Sequence, residues 1–421
     1  MKVYPPKRLD AMVALPASKS ICNRALVIGA LAGEGSSVGN VAHCDDSDVV
    51  VRAVRALADG DGDGRVIDVM AAGTAMRFLT AFLAAASRGE HVITGTERMK
   101  QRPIAVLVDA LRALGADVVY VGKNGFPPLR IVGRALEGGV VSLPGNVSSQ
   151  YISALLMIGP MMEKGLELKL SGGIISRPYI DMTIGIMRDF GARVEWRGDD
   201  TLVVEHGGYV PASYVVESDW SAASYWYEIM ALCGDADARV VLSGLRQRSL
   251  QGDRGIADVF ALLGVATEYV DGAVILTKCD AKLSALDLDM ADMPDLAQTL
   301  VVTCCMMGLP FHITGLQTLK IKETDRIVAL QTELAKLGFM IESKHDSELI
   351  WTGTRSEPSG VPVDTYDDHR MAMAFAPATI KLGGIAINNP EVVSKSYPEY
   401  WEHLAAVGFG VEDDEPKTLI P

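Results

Sequence analysis

One pattern recurs six times along this chain. A β-rich run ends in a Gly-containing turn, a polar or basic stretch follows, then a helix-period stripe, a Leu-Gly-type stop and another β-like run. The clear copies start at Thr94 (TGTERMKQRPIAVLVDALRALGADVVYV), Ser171 (SGGIISRPYIDMTIGIMRDFGARVEW), Ser243 (SGLRQRSLQGDRGIADVFALLGVATEYV) and Thr314 (TGLQTLKIKETDRIVALQTELAKLGFMIE), with weaker ones near Gly39 and Asn389. The turn positions Gly39, Gly95, Gly172, Gly244, Gly315 and Asn389 stand about 70 residues apart, too far for a solenoid unit and far enough for strands plus two helices. A second helix per copy is legible at Ser20–Leu31, Thr74–Ala86, Ser149–Gly159, Ala222–Leu232, Asp295–Met307 and His369–Ile380. These stretches are almost wholly apolar, so each must be buried on every side, sheathed by sheet.

Three βαβαββ-like copies per half predict two similar α/β domains. The third copy ends near Val215–Asp219, and the first strand-like run, Val3–Leu15, stops at Pro16-Ala17-Ser18. The expected division is therefore residues 1–15 plus 220–421 against residues 16–219, with hinge crossings near 15–18 and 215–220. A length of 421 residues also favours two domains over one core.

Apolar residues at 49% and charged residues at 22% describe a globular chain rather than a disordered one. No uninterrupted apolar run approaches the roughly 20 residues a bilayer needs, so no membrane association is expected. The opening MKVYPPKRLD has neither an apolar h-region nor transit-peptide character, which predicts a cytoplasmic protein. Cys22, Cys44, Cys233, Cys279, Cys304 and Cys305 lack CxxC or finger spacing and read as reduced thiols, not disulfides or zinc ligands. A net charge of −14 argues against nucleic acid or anionic membrane as the main partner. Any anion site must then be local.

The charges show where to look. Five of the seven residues from Lys320 to Arg326 are charged, directly before an apolar stripe at Ile327, Leu330, Leu334 and Leu337. Lys320, Lys322 and Arg326 stand where the helix dipole favours anions. The same misplacement occurs at Arg98, Lys100 and Arg102 before Pro103, at Arg177 before Pro178, and at Lys395 before Pro398. A helix N-terminus with free N–H groups plus Arg or Lys is a ready anion site; the alternative is a solvated run with surface salt bridges. The buried helices open on comparable residues: Ser18, Lys19, Ser20 and Arg24; Gly73 and Thr74; Ser148, Ser149 and Gln150; Asp295 after Pro294; and Asp368, His369 and Arg370. For each, the plain alternative is an ordinary helix cap. Neither GxxxxGK[ST] nor a strand-borne GxGxxG is present, so nucleotide binding is not supported.

In order from Ser18 to Tyr400 stand SKSICNRAL, AAGTAMRFL, RMKQRPI, GNVSSQYISALL, ISRPYI, MPDLAQTL, KIKETDRI, DDHRMAMAFA and SKSYPEY. This series closely resembles the motifs of the 5-enolpyruvylshikimate-3-phosphate synthase family, with KETDR and DHRMAM the most specific. The resemblance implies two inverted α/β barrels of three repeats each. It also implies transfer of the enolpyruvyl group of phosphoenolpyruvate to the 5-hydroxyl of shikimate 3-phosphate, with no metal or organic cofactor. By motif matching, Lys19, Gly73, Arg102, Gln150, Arg326, His369, Arg370 and Lys395 would bind phosphoenolpyruvate. Ser20, Arg24, Ser148, Ser149, Gln150, Ser176, Tyr179, Asp295 and Lys322 would bind shikimate 3-phosphate. Glu323 would serve the methylene carbon, Asp295 the attacking hydroxyl, and Lys19 the departing phosphate. Both halves would contribute to one cleft that closes on ligand, in a monomer.

Ala71, Thr318 and Phe78 depart from the family's usual Asn, Asn and Pro, and residues 45–70 form a shorter stretch than is usual. The rival enolpyruvyl transferase, acting on UDP-N-acetylglucosamine, typically carries a reactive Cys that TGTERMKQRP lacks. A repeat-built ring on DNA would need basic central helices, where this chain has apolar ones.

Overall fold

The computed structural model describes residues 1–58, 65–87 and 89–413. The chain divides into two compact units: residues 1–16, 218–249 and 253–421 form the first, and residues 17–217 with 250–252 the second. Residues 250–252 thus leave the half to which the sequence reading gives 220–421. Gln251 donates to Glu217 at 2.8 Å, and the Leu250 side chain covers Gly185, where an added Cβ would lie 2.8 Å from it.

The repeat is explicit in strand order. In the copy that includes Thr94, strand Arg65–Asp68 runs parallel to Glu90–Thr94 (Val66 opposite Val92). Leu129–Val132 then pairs antiparallel with Glu90–Thr94, and Asp117–Tyr120 closes the outer hairpin. The same parallel–antiparallel–hairpin ladder recurs in Gly139–Pro144 with Leu166–Ser171, Thr201–Val204 and Val194–Arg197, and in Leu286–Asp289 with Phe311–Thr314, Glu348–Trp351 and Glu342–Lys344.

A fourth copy takes its first strand, Asp10–Ala14, from before the second unit; it runs parallel to Arg239–Ser243, although residues 17–217 intervene. The last copy borrows Lys2–Tyr4, which pairs antiparallel with both Ile385–Ala386 and Gly410–Glu412. The copy near Gly39 shows only the parallel pair of Ser37–Gly39 with Ser213–Val215 among the described residues. The middle of its shortened 45–70 stretch, residues 59–64, lies outside them.

Eleven helices carry the argument: α1 (Lys19–Ala32), α2 (Asp45–Ala58), α3 (Gly73–Ala86), α4 (Ala105–Ala113), α5 (Ser149–Ile158), α6 (Arg177–Asp189), α7 (Trp220–Leu232), α8 (Ile256–Leu262), α9 (Ala297–Met307), α10 (Arg326–Lys336) and α11 (His369–Phe375). The apolar ones pack together: α1, α3 and α5 in the second unit, and α7, α9 and α11 in the first. Ten of the eleven residues of α9 are buried, which is why its sequence carries no polar face. The outer helices show the amphipathic stripe instead; in α10, Ile327, Leu330 and Leu334 point inward while Val328 and Thr332 do not. The single helix expected over 369–380 is broken after Phe375, because Pro377 has no N–H to donate.

Turn chemistry fits the plan. Gly315 has φ +78°, and a Cβ there would stand 2.2 Å from Asp289 Oδ1, so only glycine closes that turn. No described helix is long and apolar enough to cross a membrane. Both units are α/β, each with apolar helices inside and sheets outside: the inverted α/β barrel arrangement.

Candidate active site

The expected site residues lie at or just ahead of helix N-termini, of apolar and outer helices alike, and the two units hold them differently.

In the first unit, Arg326 opens α10 and is 1% exposed. Its Nε donates to Asp368 Oδ2 at 2.6 Å, Nη2 to Asp368 Oδ1 at 3.2 Å and to Glu323 Oε2 at 3.0 Å, and Nη1 to Asp295 Oδ1 at 3.0 Å. Asp295 also meets Lys322 Nζ at 3.2 Å through Oδ1 and Arg370 Nη2 at 3.2 Å through Oδ2. Three cations and three carboxylates therefore form one linked cluster. Burial opposes ionisation of Asp295, but Lys322, Arg370 and Arg326 overcome it and hold its carboxyl well below the ordinary carboxylate range. Burial likewise works against the charge on Arg326, and Asp368, Glu323 and Asp295 outweigh it, raising that guanidinium above its usual value.

The plain capping alternative is half right here. Asp368 does cap α11, accepting from Arg370 N at 3.0 Å, while also holding Arg326. Asp295 sits in a 3₁₀ turn ahead of α9 with its carboxylate given to cations. His369 is 2% exposed, with Nδ1 3.7 Å from Asp368 Oδ1, and Lys395 donates to the Asp367 carbonyl.

In the second unit, Arg102 folds over the N-terminus of α3. A Cβ on Gly73 would stand 2.5 Å from Arg102 Nη1, so the missing side chain makes the room for that guanidinium. Arg102 is 8% exposed, and its side chain has no hydrogen-bond or ion-pair partner among the described residues. Beside it, Gln150 donates to Thr74 Oγ1 at 3.0 Å, and Ser148 caps α5 by accepting from Gln150 N at 3.4 Å. Arg24, on α1, is 2% exposed and among the described residues meets only neutral acceptors, including the carbonyls of Ser20 and Tyr179. Its burial draws the guanidinium down to about 10, still charged at neutral pH. Lys19 lies 3.2 Å from Asp46 Oδ2 at the start of α2. Ser149 is buried, and Ser176 precedes α6 in a left-handed conformation, φ 57°.

The family model described as EPSP synthase (3-phosphoshikimate 1-carboxyvinyltransferase) matches residues 3–404. The chain belongs to the EPSP synthase family. A relative from Bacteroides fragilis (strain YCH46), named 3-phosphoshikimate 1-carboxyvinyltransferase, is 54% identical over 411 residues, covering 97% of this chain and 98% of its own. A second of that name, from Aliivibrio fischeri (strain MJ11), is 36% identical over 426 residues, covering 96% and 98%. In fold, the chain is similar to a solved EPSP synthase from Acinetobacter baumannii, with a TM-score of 0.77 at 23% identity over 98% of this chain and 99% of that one.

Among the residues matched to the EPSP synthase motifs, the structure gathers Asp295, Lys322, Glu323, Arg326 and Arg370 into one cluster, Gly73 with Arg102, and Arg24 with Ser20 and Tyr179. It leaves other members of the recurring basic set outside: Lys320 pairs with Asp346 at 2.6 Å on the surface, Lys100 with Glu97 at 2.7 Å, and Arg177 lies over the Trp196 ring at 4.1 Å. For those three the surface alternative holds. Sequence reasoning missed Asp46, whose place in the first turn of a helix looks like an ordinary response to the dipole. It also missed Ser221, 3.4 Å from Arg370 Nη2, and Asp253, which accepts from Ser221 Oγ. No local pattern marks those two.

Proposed function

We propose that this chain transfers the enolpyruvyl group of phosphoenolpyruvate to the 5-hydroxyl of shikimate 3-phosphate, releasing phosphate, as a step toward aromatic amino acids. Membership of the EPSP synthase family supports the reaction class. The observation that carries the residue roles is the contrast in charge compensation: Arg24 and Arg102 are buried cations without carboxylate partners among the described residues, while Asp295 and Glu323 are carboxylates held by cations.

Two phosphates and two carboxylates must be bound, and each phosphate brings a charge of about −1.5 to −2. Uncompensated guanidinium groups suit them because an anion then meets a charge no internal partner has neutralised. Arg102 and Lys19, with Lys395, are assigned to the phosphate of phosphoenolpyruvate, and Gly73 to keeping the backbone clear around Arg102. Gln150 bridges the two substrates. Arg370, Arg326 and His369 are assigned to the phosphoenolpyruvate carboxylate, and Ser20, Arg24, Ser148, Ser149, Ser176, Tyr179 and Lys322 to shikimate 3-phosphate. Arg326, with three of its four hydrogen bonds on Asp368 and Glu323 and the fourth on Asp295, has one Nη1–H left to offer.

In the addition step Glu323 gives a proton to the methylene carbon while Asp295 accepts the proton of the attacking hydroxyl, producing a tetrahedral ketal phosphate. In the elimination step Glu323 takes a proton back from the new methyl group, the C–O bond to phosphate breaks, and Lys19 stabilises the departing oxygen. The proton held by Asp295 leaves with phosphate, so the protein returns to its starting state. Substrate anions near the cluster raise the depressed Asp295 carboxyl toward the range a base needs.

The deciding experiment is phosphate release from phosphoenolpyruvate with and without shikimate 3-phosphate. Release strictly dependent on the second substrate supports the reading; release without it, or none with it, refutes it. We propose further that the protein works as a cytoplasmic monomer without nucleic-acid or membrane partners, in keeping with its net charge of −14. Elution as a larger species in sizing chromatography would count against the monomer.

A further inference from the structure

Burying a guanidinium is costly unless its hydrogen bonds are met and its charge is offset. Arg326 meets both demands with carboxylates. Arg24 does not: its Nε donates to Thr183 Oγ1 at 2.7 Å, Nη1 to the Ser20 carbonyl at 2.8 Å, and Nη2 to Ser153 Oγ at 3.2 Å and the Tyr179 carbonyl at 3.3 Å. These acceptors are neutral and lie around the edge of the guanidinium. They are themselves tied together, since Thr183 Oγ1 lies 2.8 Å from Ser153 Oγ and donates to the Tyr179 carbonyl at 2.9 Å. Hydrogen bonds of that kind fix the plane's rim and leave its face to be supported by something else.

The cation lies over the ring of Phe78. This side chain, on α3, is 0% exposed, and its ring centroid lies 5.2 Å from Arg24 Cζ, within the range at which a ring's quadrupole attracts a cation. We propose that Phe78 is a positioning residue for Arg24: its π face stabilises a desolvated guanidinium without neutralising it, and so keeps Arg24 both fixed and fully cationic for an anionic group of shikimate 3-phosphate. A carboxylate in the same place would hold Arg24 as firmly, but it would compete with the substrate for the charge. An aliphatic side chain would fill the volume and offer the cation nothing. The inference rests on the proposed role of Arg24 in binding shikimate 3-phosphate.

The bland alternative is that Phe78 is core packing and no more, since it belongs to the second unit's apolar cluster. The test must therefore change the ring's electronics while leaving its shape nearly alone. Phenylalanines carrying one, two and three ring fluorines, incorporated at position 78 of the full chain, weaken the π face stepwise with little change in volume. Titration with shikimate 3-phosphate alone should then show affinity falling at each step, and Phe78→Leu should lose about tenfold, the scale of a desolvated cation–π contact. The loss should appear in KM for shikimate 3-phosphate and leave KM for phosphoenolpyruvate unmoved, whereas a packing defect would disturb both and lower Tm. A flat response across the fluorinated series overturns the proposal even if Phe78→Leu fails to fold. Arg24→Met separates the two layers of argument. If that variant keeps full affinity for shikimate 3-phosphate, the role given to Arg24 is wrong. If it loses affinity while the fluorinated series stays flat, only the role given to Phe78 is wrong.

Discussion

The two units solve the same problem, the burial of arginine at the N-terminus of a helix core, in opposite ways. In the first, Arg326 is 1% exposed and enclosed by Asp295, Glu323 and Asp368, with Lys322 and Arg370 completing a balanced cluster. In the second, Arg24 and Arg102 are 2% and 8% exposed and meet no carboxylate among the described residues. A balanced cluster is an internal structure in which each carboxylate already has a cationic partner. An unbalanced cation is a demand for an external anion. In the proposed reaction the first unit supplies both proton-transferring carboxylates together with Lys322, Arg326, Arg370 and Lys395 for anionic groups of the substrates, while the second adds guanidinium groups that no described carboxylate offsets.

That contrast can be broken hardest at Arg326. Arg326→Leu removes the shared donor from three carboxylates, leaving Asp368, which is 0% exposed, with an uncompensated charge. Breaking a buried ion pair from one side costs about 3–5 kcal/mol. Denaturant unfolding should show a loss of that order, and a variant within about 1 kcal/mol of the parent would mean that the cluster is not a structural unit. Next in size is Glu323→Gln, which keeps the shape of the side chain and removes its proton exchange. Turnover should fall at least about a hundredfold while titration shows shikimate 3-phosphate binding nearly intact; unchanged turnover would remove Glu323 from the mechanism.

How much of this contrast could be read from the sequence depends on what kind of physics produced it. The six copies were legible because strand alternation, turn glycines and apolar helices are local patterns set by burial. That residues 1–15 go with 220–421 was legible from the break at Pro16-Ala17-Ser18, but the strands that Lys2–Tyr4 and Asp10–Ala14 pair with were not, since partners hundreds of residues away leave no local trace. Among the charges, Lys320, Lys322, Glu323 and Arg326 read as one knot, yet Lys320 faces solvent and the other three face Asp295 or one another. Composition says that charge is present; only the direction of each side chain says whether it is offset. For the same reason Phe78 read as a mere departure from a motif, and its relation to Arg24 needed two helices placed side by side.

A middle-sized effect is expected at Gly73. A Cβ there would stand 2.5 Å from Arg102 Nη1 and 3.0 Å from its Cζ, so Gly73→Ala must displace the guanidinium, which is the movable end of a long side chain. Stability should barely change, and KM for phosphoenolpyruvate should rise about tenfold, the scale of one charge-assisted hydrogen bond. An unaltered KM would free Arg102 from its assigned phosphate. In the first unit, the depressed Asp295 carboxyl gives a pH signature. A group whose folded pKa lies below its unfolded value of about 3.9 contributes stability fully at higher pH and loses it as pH falls from there toward the folded value. Asp295→Asn should therefore flatten the decline of stability below about pH 4, and an identical acid limb in both proteins would show that the cations do not hold Asp295 as described.

The smallest effect belongs to Lys320, and it sharpens the comparison most economically. Lys320 stands two residues from Lys322 in the same charged run, ahead of the same helix, so a reading based on repeat position alone gives both the same role. Its ammonium is 47% exposed and pairs with Asp346, itself 71% exposed, at 2.6 Å. Exposed pairs of this kind contribute between zero and about 1 kcal/mol because water screens the attraction and two long side chains lose freedom in making it. Lys320→Ala should shift stability by less than about 0.5 kcal/mol and leave both KM values and kcat where they were, whereas Lys322→Ala should weaken shikimate 3-phosphate binding by about tenfold or more, as expected for loss of a charged contact. If the two substitutions behaved alike, orientation toward Asp295 would not be what separates a functional charge from a solvated one.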